Sequence, residues 1–284
     1  MWTRSELKQR AKDQMKGRYF NYLGASLMPQ LASYIISIPL SIVSQIVMIP
    51  SFLSMGMLME NPAFLDQWNN IPTTGISDFD LVLSITLAAL SAMTALIIPM
   101  IIVSLVSLAS TLLVINPVMV GVYRWNIRSR EDRNISFSLC FSAFRKNSYI
   151  RTVLATTYQM LFLFLWSLLL WIPAVIKGYA YRMIPYIIAD NPNIGAKRAL
   201  KLSCMMTRGH KFEIFILDLS FIGWYLLGFI ACCIGIYAVV PYQNATNAEL
   251  YDVLKREAIE KSYTSMVELG YIKIVPPPAM EPTL

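Results

Sequence analysis

The chain has 284 residues and a formal net charge of +7, yet 56% of it is hydrophobic and only 14% charged, where a soluble domain is about 45–50% apolar and about 25% charged. That balance excludes an ordinary soluble domain and predicts an all-α, polytopic membrane helical bundle. The cations cluster beside apolar blocks, so anionic lipid headgroups are a simpler partner than nucleic acid. Cys140, Cys204, Cys232 and Cys233 have neither metal-like nor disulfide-like spacing and read as unreactive fillers.

Residues 1–21 open with Trp2 and a Thr3-Arg-Ser-Glu6 capping box, followed by Leu7, Ala11 and Met15 at four-residue spacing, with six Lys/Arg elsewhere. This predicts a basic interfacial amphipathic helix lying on the membrane. A secretory signal peptide fits poorly, because both the charged and the apolar regions are too long and no small-residue cleavage site follows promptly.

Two uncharged blocks come next, Tyr22–Met59 with Pro29, Pro39 and Pro50, and Leu81–Tyr123 with Pro99 and Pro117. Each is about 60 Å long as straight helix, twice the ~30 Å hydrocarbon core, so each is one long kinked span or a hairpin of two. The stretch between them carries Glu60, Asp66, Asp78 and Asp80 but no Lys or Arg. By the positive-inside rule it faces away from the cytoplasm, so one crossing per block is the economical choice. Arg124–Arg151 restores the positive charge and reads as cytoplasmic.

The block Thr152–Ala189 is flanked by basic segments on both sides, and must cross an even number of times. A hairpin turning near Trp171-Ile-Pro173, with arms 153–171 and 173–189, satisfies this. The polar stretch 190–211 then reads as a cytoplasmic amphipathic helix, capped by Asp190 or Asn191 with Pro192 in its first turn and closed by Gly209. Lys197, Lys201 and Arg208 share one face, and Gly195, Ala199, Leu202 and Met206 the other; Arg198 and Lys211 complete five cations facing lipid or a partner. Gly228 and Gly235 bracket a second hairpin, 212–231 and 234–253, which returns Lys255 and Arg256 to the cytoplasm. The count is about six spans, both termini cytoplasmic; the runner-up is about four, with each later block crossing once. Residues 1–255 form one transmembrane domain and 256–284 a cytoplasmic tail, extended around Val275-Pro-Pro-Pro278.

The one histidine, His210, reads as solvated and non-catalytic, and the chain has no His-Glu-x-x-His pattern, Walker loop or Gly-x-Ser-x-Gly elbow. No metal or cofactor is expected. Ionisable residues within apolar runs usually need a partner, and there are three: Lys177, Arg182 and Asp218. Arg182 and Asp218 would lie ~10 Å deep on consecutive helices at ~1.5 Å per residue, so we expect them to pair, while Lys177 snorkels.

The opening Arg4-Ser-Glu-Leu-Lys with Ala11-Lys12, the stretch Trp171-Ile-Pro-Ala-Val-Ile-Lys177-Gly-Tyr-Ala-Tyr181, then Pro185-Tyr-Ile-Ile-Ala-Asp-Asn-Pro192 with Ala199-Leu-Lys-Leu-Ser203 and Gly209-His-Lys211, and finally Leu217-Asp-Leu-Ser-Phe-Ile-Gly-Trp224 carry a resemblance. Over about residues 1–255 the chain resembles the bacterial family called domain of unknown function nine hundred seventy-five. The same signature is more loosely similar to the membrane domain attached to some glycerophosphodiester phosphodiesterases. The resemblance implies an integral inner-membrane protein, commonest in Gram-positive bacteria, with no established activity. The chain departs from it in its Gly-poor first block and in Arg182, so the expected pair is not borrowed from the family.

These residues predict a non-enzymatic component of the bacterial plasma membrane. Its partners are the lipid bilayer, anionic headgroups and a membrane protein. A transporter subunit using Arg182 and Asp218 is the alternative; a lipid-headgroup enzyme is a more distant one.

Overall fold

The computed structural model describes residues 2–60, 79–230 and 234–270. Asp66 and Asp78 of the acidic stretch, Cys232, Cys233 and Val275-Pro-Pro-Pro278 lie outside the described residues. Every regular element among the described residues is helical. They divide into two compact units, residues 33–111 and residues 1–32 with 112–284. Among the described residues four helices are long and apolar enough to cross a membrane, within Tyr19–Ile49, Ile97–Arg128, Ser148–Leu169 and Lys211–Ile230.

The smaller unit takes most of α2 (Tyr19–Glu60) and all of α3 (Phe79–Ser110). Each stays helical through its prolines, matching the single kinked span expected of each block. Ile35, Ile46 and Leu105 stand at 73%, 61% and 60% exposure, as side chains do when lipid is their solvent.

The larger unit begins with α1 (Arg4–Met15). Thr3 accepts from the Glu6 amide at 3.3 Å, capping the first turn as the box predicts. Leu7, Ala11 and Met15 are buried, but the helix packs on α10 (Ile234–Glu260). The apolar face read as dipping into lipid is therefore filled by protein.

A π-helical turn at Thr111–Ile115 leads into α4 (Asn116–Arg128). Pro117 has no N–H to return to the carbonyl of Leu113 four residues back, and the Tyr149 hydroxyl donates to that oxygen at 2.9 Å. A 3-10 turn, Phe137–Phe144, lies on α4, where Trp125 stacks on Phe137 with ring centroids 5.9 Å apart. Within it Cys140 is fully buried, and burial pushes its thiol up to about 11, in keeping with an unreactive filler.

The chain then rises along α5 (Lys146–Leu169) and reverses at Leu170, which is extended, into α6 (Trp171–Tyr181). This is the expected turn, but the returning arm is not one helix over 173–189. It breaks at Arg182-Met183 because Pro185 cannot donate to the Tyr181 carbonyl, which accepts instead from Gln159 at 3.3 Å. The remainder, α7 (Ile184–Asp190), is apolar on all sides and sits in the protein core, with Met183, Ile184, Ile187 and Ile188 at 1% exposure or less.

The amphipathic helix expected over 190–211 starts later, as α8 (Ala196–Met206), with Gly195 at its cap and no side-chain cap bond. Asn191 instead accepts from the Asn193 amide at 2.9 Å, closing a turn that holds Pro192. Ala199, Leu202 and Met206 are buried as expected, although in protein, and Gly209 adopts the left-handed φ of 90°. The second hairpin joins α9 (Lys211–Ile230) to α10. A Cβ on Gly228 would stand 2.7 Å from the backbone of Gly235, so hydrogen at both positions permits this close crossing. Both blocks reverse as expected, but among the described residues only their outgoing arms, α5 and α9, are long and apolar enough to cross, so the candidate spans number four, as in the runner-up, and not the expected six.

Residues 256–270 are no free tail. α10 continues to Glu260, Leu269 is fully buried, and Glu268 pairs with Arg198.

Candidate functional site: an ionic seam along the last helix

The second half of α10 reads Gln243-Asn-Ala-Thr-Asn-Ala-Glu-Leu-Tyr-Asp-Val-Leu-Lys-Arg-Glu257, with polar residues around its whole circumference. At roughly 100° per residue, Asn247, Tyr251 and Lys255 share one side, Glu249, Asp252 and Arg256 a second, and Glu257 a third. Each side meets an ionisable partner from elsewhere in the chain.

On the first side lie Arg182 and Asp218. The two terminal nitrogens of Arg182 donate to the two carboxylate oxygens of Asp218, one of them at 2.7 Å, and Nη2 also reaches Asn247 Oδ1 at 3.0 Å. This bidentate geometry is the stronger form of such a pair. Further along, the Tyr251 hydroxyl donates to Asp190 at 2.8 Å, and Lys255 approaches the same oxygen at 3.5 Å.

On the second side Arg130 spans two carboxylates, with Nε 2.6 Å from Glu249 and Nη2 2.8 Å from Asp252. Asp252 also meets Arg256 at 2.7 Å. Burial alone would raise the Asp252 carboxyl, but Arg130, Arg256 and Lys255 hold it below the usual range.

On the third side the ring of His210 lies between two carboxylates, Nδ1 3.0 Å from Glu213 and Nε2 2.9 Å from Glu257. A carboxylate only accepts, so both ring nitrogens donate and the geometry selects the imidazolium. Burial opposes that charge, while the bonds to Glu213 and Glu257 outweigh it and raise the pKa. The stabilisation is present in full below the unfolded value of ~6.5 and is lost as pH rises through the raised folded value. The unfolding midpoint should therefore fall across that window, and His210→Gln should flatten the fall; identical pH profiles for both chains would remove His210 from the account. The solvated histidine expected at this position is thus a half-buried clamp between the start of α9 and the end of α10.

Of the expected site residues, Arg182 and Asp218 are brought together and Lys177 is not among them. Its ammonium lies over the Trp166 ring, 4.7 Å from the centroid. In the basic set, Lys197, Lys201 and Arg208 face outward, Lys211 is half-buried, and Arg198 is taken up by Glu268 at 2.6 Å. No group of three or more His, Cys, Asp or Glu side chains suited to a metal occurs among the described residues.

The family model described as "Protein of unknown function (DUF975)" matches residues 1–258, nearly the whole of this arrangement. The chain belongs to the DUF975 family. No curated protein and no solved structure matches it. The match ends at residue 258, so it takes in the α10 seam and stops short of Glu268.

Sequence reasoning missed Arg130, Glu249, Asp252, Lys255 and Glu257 as a set. The signal that could have found them is the spacing Ala245, Ala248, Tyr251, Lys255 and Ala258, a buried stripe within a polar helix.

Proposed function

We propose that the protein is a non-enzymatic component of the bacterial plasma membrane that holds a basic cytoplasmic surface against anionic lipid headgroups. The observation that carries this reading is α8. Its apolar face is already spent in the core through Ala199, Leu202 and Met206, leaving Lys197, Lys201 and Arg208 outward on a fixed scaffold. The ion pairs along α10 brace that scaffold from behind. In this reading both termini and every strongly basic segment are cytoplasmic.

Each cation near an anionic surface is worth about 1 kcal/mol, so neutralising three weakens binding by on the order of 100-fold. We expect Lys197→Gln, Lys201→Gln and Arg208→Gln together to lose that affinity for short-chain phosphatidylglycerol, measured on purified protein in neutral detergent, with unchanged unfolding. Full retention of phosphatidylglycerol by the triple variant would overturn the reading. A transporter would instead lose flux in vesicles on Arg182→Gln; the engagement of both terminal nitrogens of Arg182 by Asp218 and Asn247 favours a structural pair.

A further inference from the structure

The two helical hairpins expose apolar side chains along their outer parts and at their tips. From Thr157 to Tyr179 no residue is buried by protein, and between Phe221 and Val239 only Gly228 is, among the residues described. Exposure peaks at the turns, with Leu169, Trp171 and Ile172 at 70%, 81% and 74% and Ile230 at 78%. Two apolar hairpins, partly covered through Phe162, Trp166, Tyr179 and Tyr225, thus project from a packed, ionic base.

The part of each hairpin that clears the buried core is short, although α5 and α9 taken whole, at 24 and 20 residues, are long enough to cross. The returning arm α6 has 11 residues, about 16 Å at roughly 1.5 Å per residue, before the chain turns into the buried α7. Phe221 to Ile230 spans about 14 Å by the same measure. Both are half of the ~30 Å hydrocarbon core. α2 and α3 run for 42 and 32 residues, and neither returns to a buried base within half that thickness.

Polar groups mark the same level at the base of both hairpins. Gln159 meets Tyr181, Arg182 meets Asp218, and Ser203 of α8 donates to the Ala180 carbonyl at 2.7 Å. On the other hairpin Lys8 donates to the Ser220 carbonyl at 3.1 Å and lies 4.4 Å from the Phe221 ring centroid, while Lys12 stands over Tyr242 at 5.8 Å. If Lys211 marked the inner surface of a full crossing, Ser220 would lie about 14 Å deep. Lys8 and the charged face of α1 would then be carried to the bilayer midplane, where charge is rare and costly.

We propose that α5–α6 and α9–α10 are re-entrant hairpins, seated in the cytoplasmic leaflet alone with their tips at the bilayer midplane and that leaflet's acyl chains as their partner. The even number of crossings that the flanking charges demand is then zero for each hairpin. Arg182, Asp218, Lys8 and the exposed cations of α8 all come to the headgroup level. Lys177, about 9 Å from the tip along α6, has only a few ångströms to reach to the headgroups along Trp166. The four hairpin arms add cross-section to one leaflet and none to the other.

Nitroxide labels read the depth directly. Single cysteines at Leu161, Leu170, Leu227 and Ile230, all exposed side chains, are placed in the full chain with Cys204, Cys232 and Cys233 changed to Ser and the buried Cys140 kept. The protein is reconstituted in phosphatidylcholine–phosphatidylglycerol vesicles, and collisions with oxygen are compared with those with a water-soluble nickel chelate. The expected result is that Leu170 and Ile230 are the deepest positions, with Leu161 and Leu227 shallower on the way in. A full crossing makes Leu161 deepest and returns Leu170 to the far headgroups, which overturns the proposal; so does nickel access at both tips from water. The readout is independent of headgroup affinity, so this test and the triple-cation test fail separately.

Discussion

Arg130→Met should cost the protein about 3–5 kcal/mol of unfolding free energy, the usual penalty for leaving a buried charge without its partner. The Glu249 and Asp252 side chains are 3% and 9% exposed, and Arg130 is the cation that spans both. Asp252 keeps Arg256, at 2.7 Å, so most of the loss falls on Glu249. Adding Glu249→Gln should therefore recover the larger part of it, because a neutral amide needs no counter-charge. Chemical unfolding in detergent for the three chains checks this. A single-variant loss below about 1 kcal/mol, the range of surface pairs, would mean that water reaches the seam and that it does not brace the scaffold.

Gly121→Ala should be worse than its size suggests. A Cβ there would lie 1.7 Å from the Cys140 carbonyl oxygen and 2.5 Å from its carbon. Both sides of that contact are backbone, so no rotamer change can relieve it, and α4 must part from the 137–144 turn. We expect a loss at or beyond the upper end of the ~1–3 kcal/mol typical of overpacking. Gly223→Ala is the matched control, since nothing lies within 4 Å of its Cβ position and Ala gains about 1 kcal/mol over Gly in a helix. Thermal unfolding should separate the two by sign. Equal midpoints would show that α4 and the turn are not held as closely as described.

The parts of this fold legible in the sequence are those governed by one short pattern or by charge alone. The Thr3 box, the Leu7–Ala11–Met15 stripe and the Gly209 stop need only local rules. The reversals near Trp171 and after Ile230 follow from basic segments on both sides of an apolar block. Arg182 and Asp218 stood out because charge in an apolar run is costly. What escaped needed information from a distance. Amphipathicity says that Leu7 or Leu202 must leave water, but lipid and protein serve equally well; α10 and the core, rather than acyl chains, cover them. The break at Pro185 inside the arm expected as one helix over 173–189 depends on Gln159, on the separate helix α5, taking the Tyr181 carbonyl it frees. The α10 seam escaped because its buried apolar positions, Ala248, Leu250, Tyr251 and Leu254, are interleaved with buried Glu249, Asp252 and Lys255, whose partners Arg130 and Asp190 come from separate segments.

The orientation of the 190–211 stretch carries the whole account, because the basic surface, the parity of both hairpins and the headgroup partner follow from it. Lys197→Cys offers an exposed thiol with no ionic partner among the described residues, to be treated with a membrane-impermeant maleimide in intact and in lysed cells and compared with the parent chain. The account predicts labelling only after lysis. Labelling at full extent in intact cells would place α8 outside the cytoplasm and contradict it.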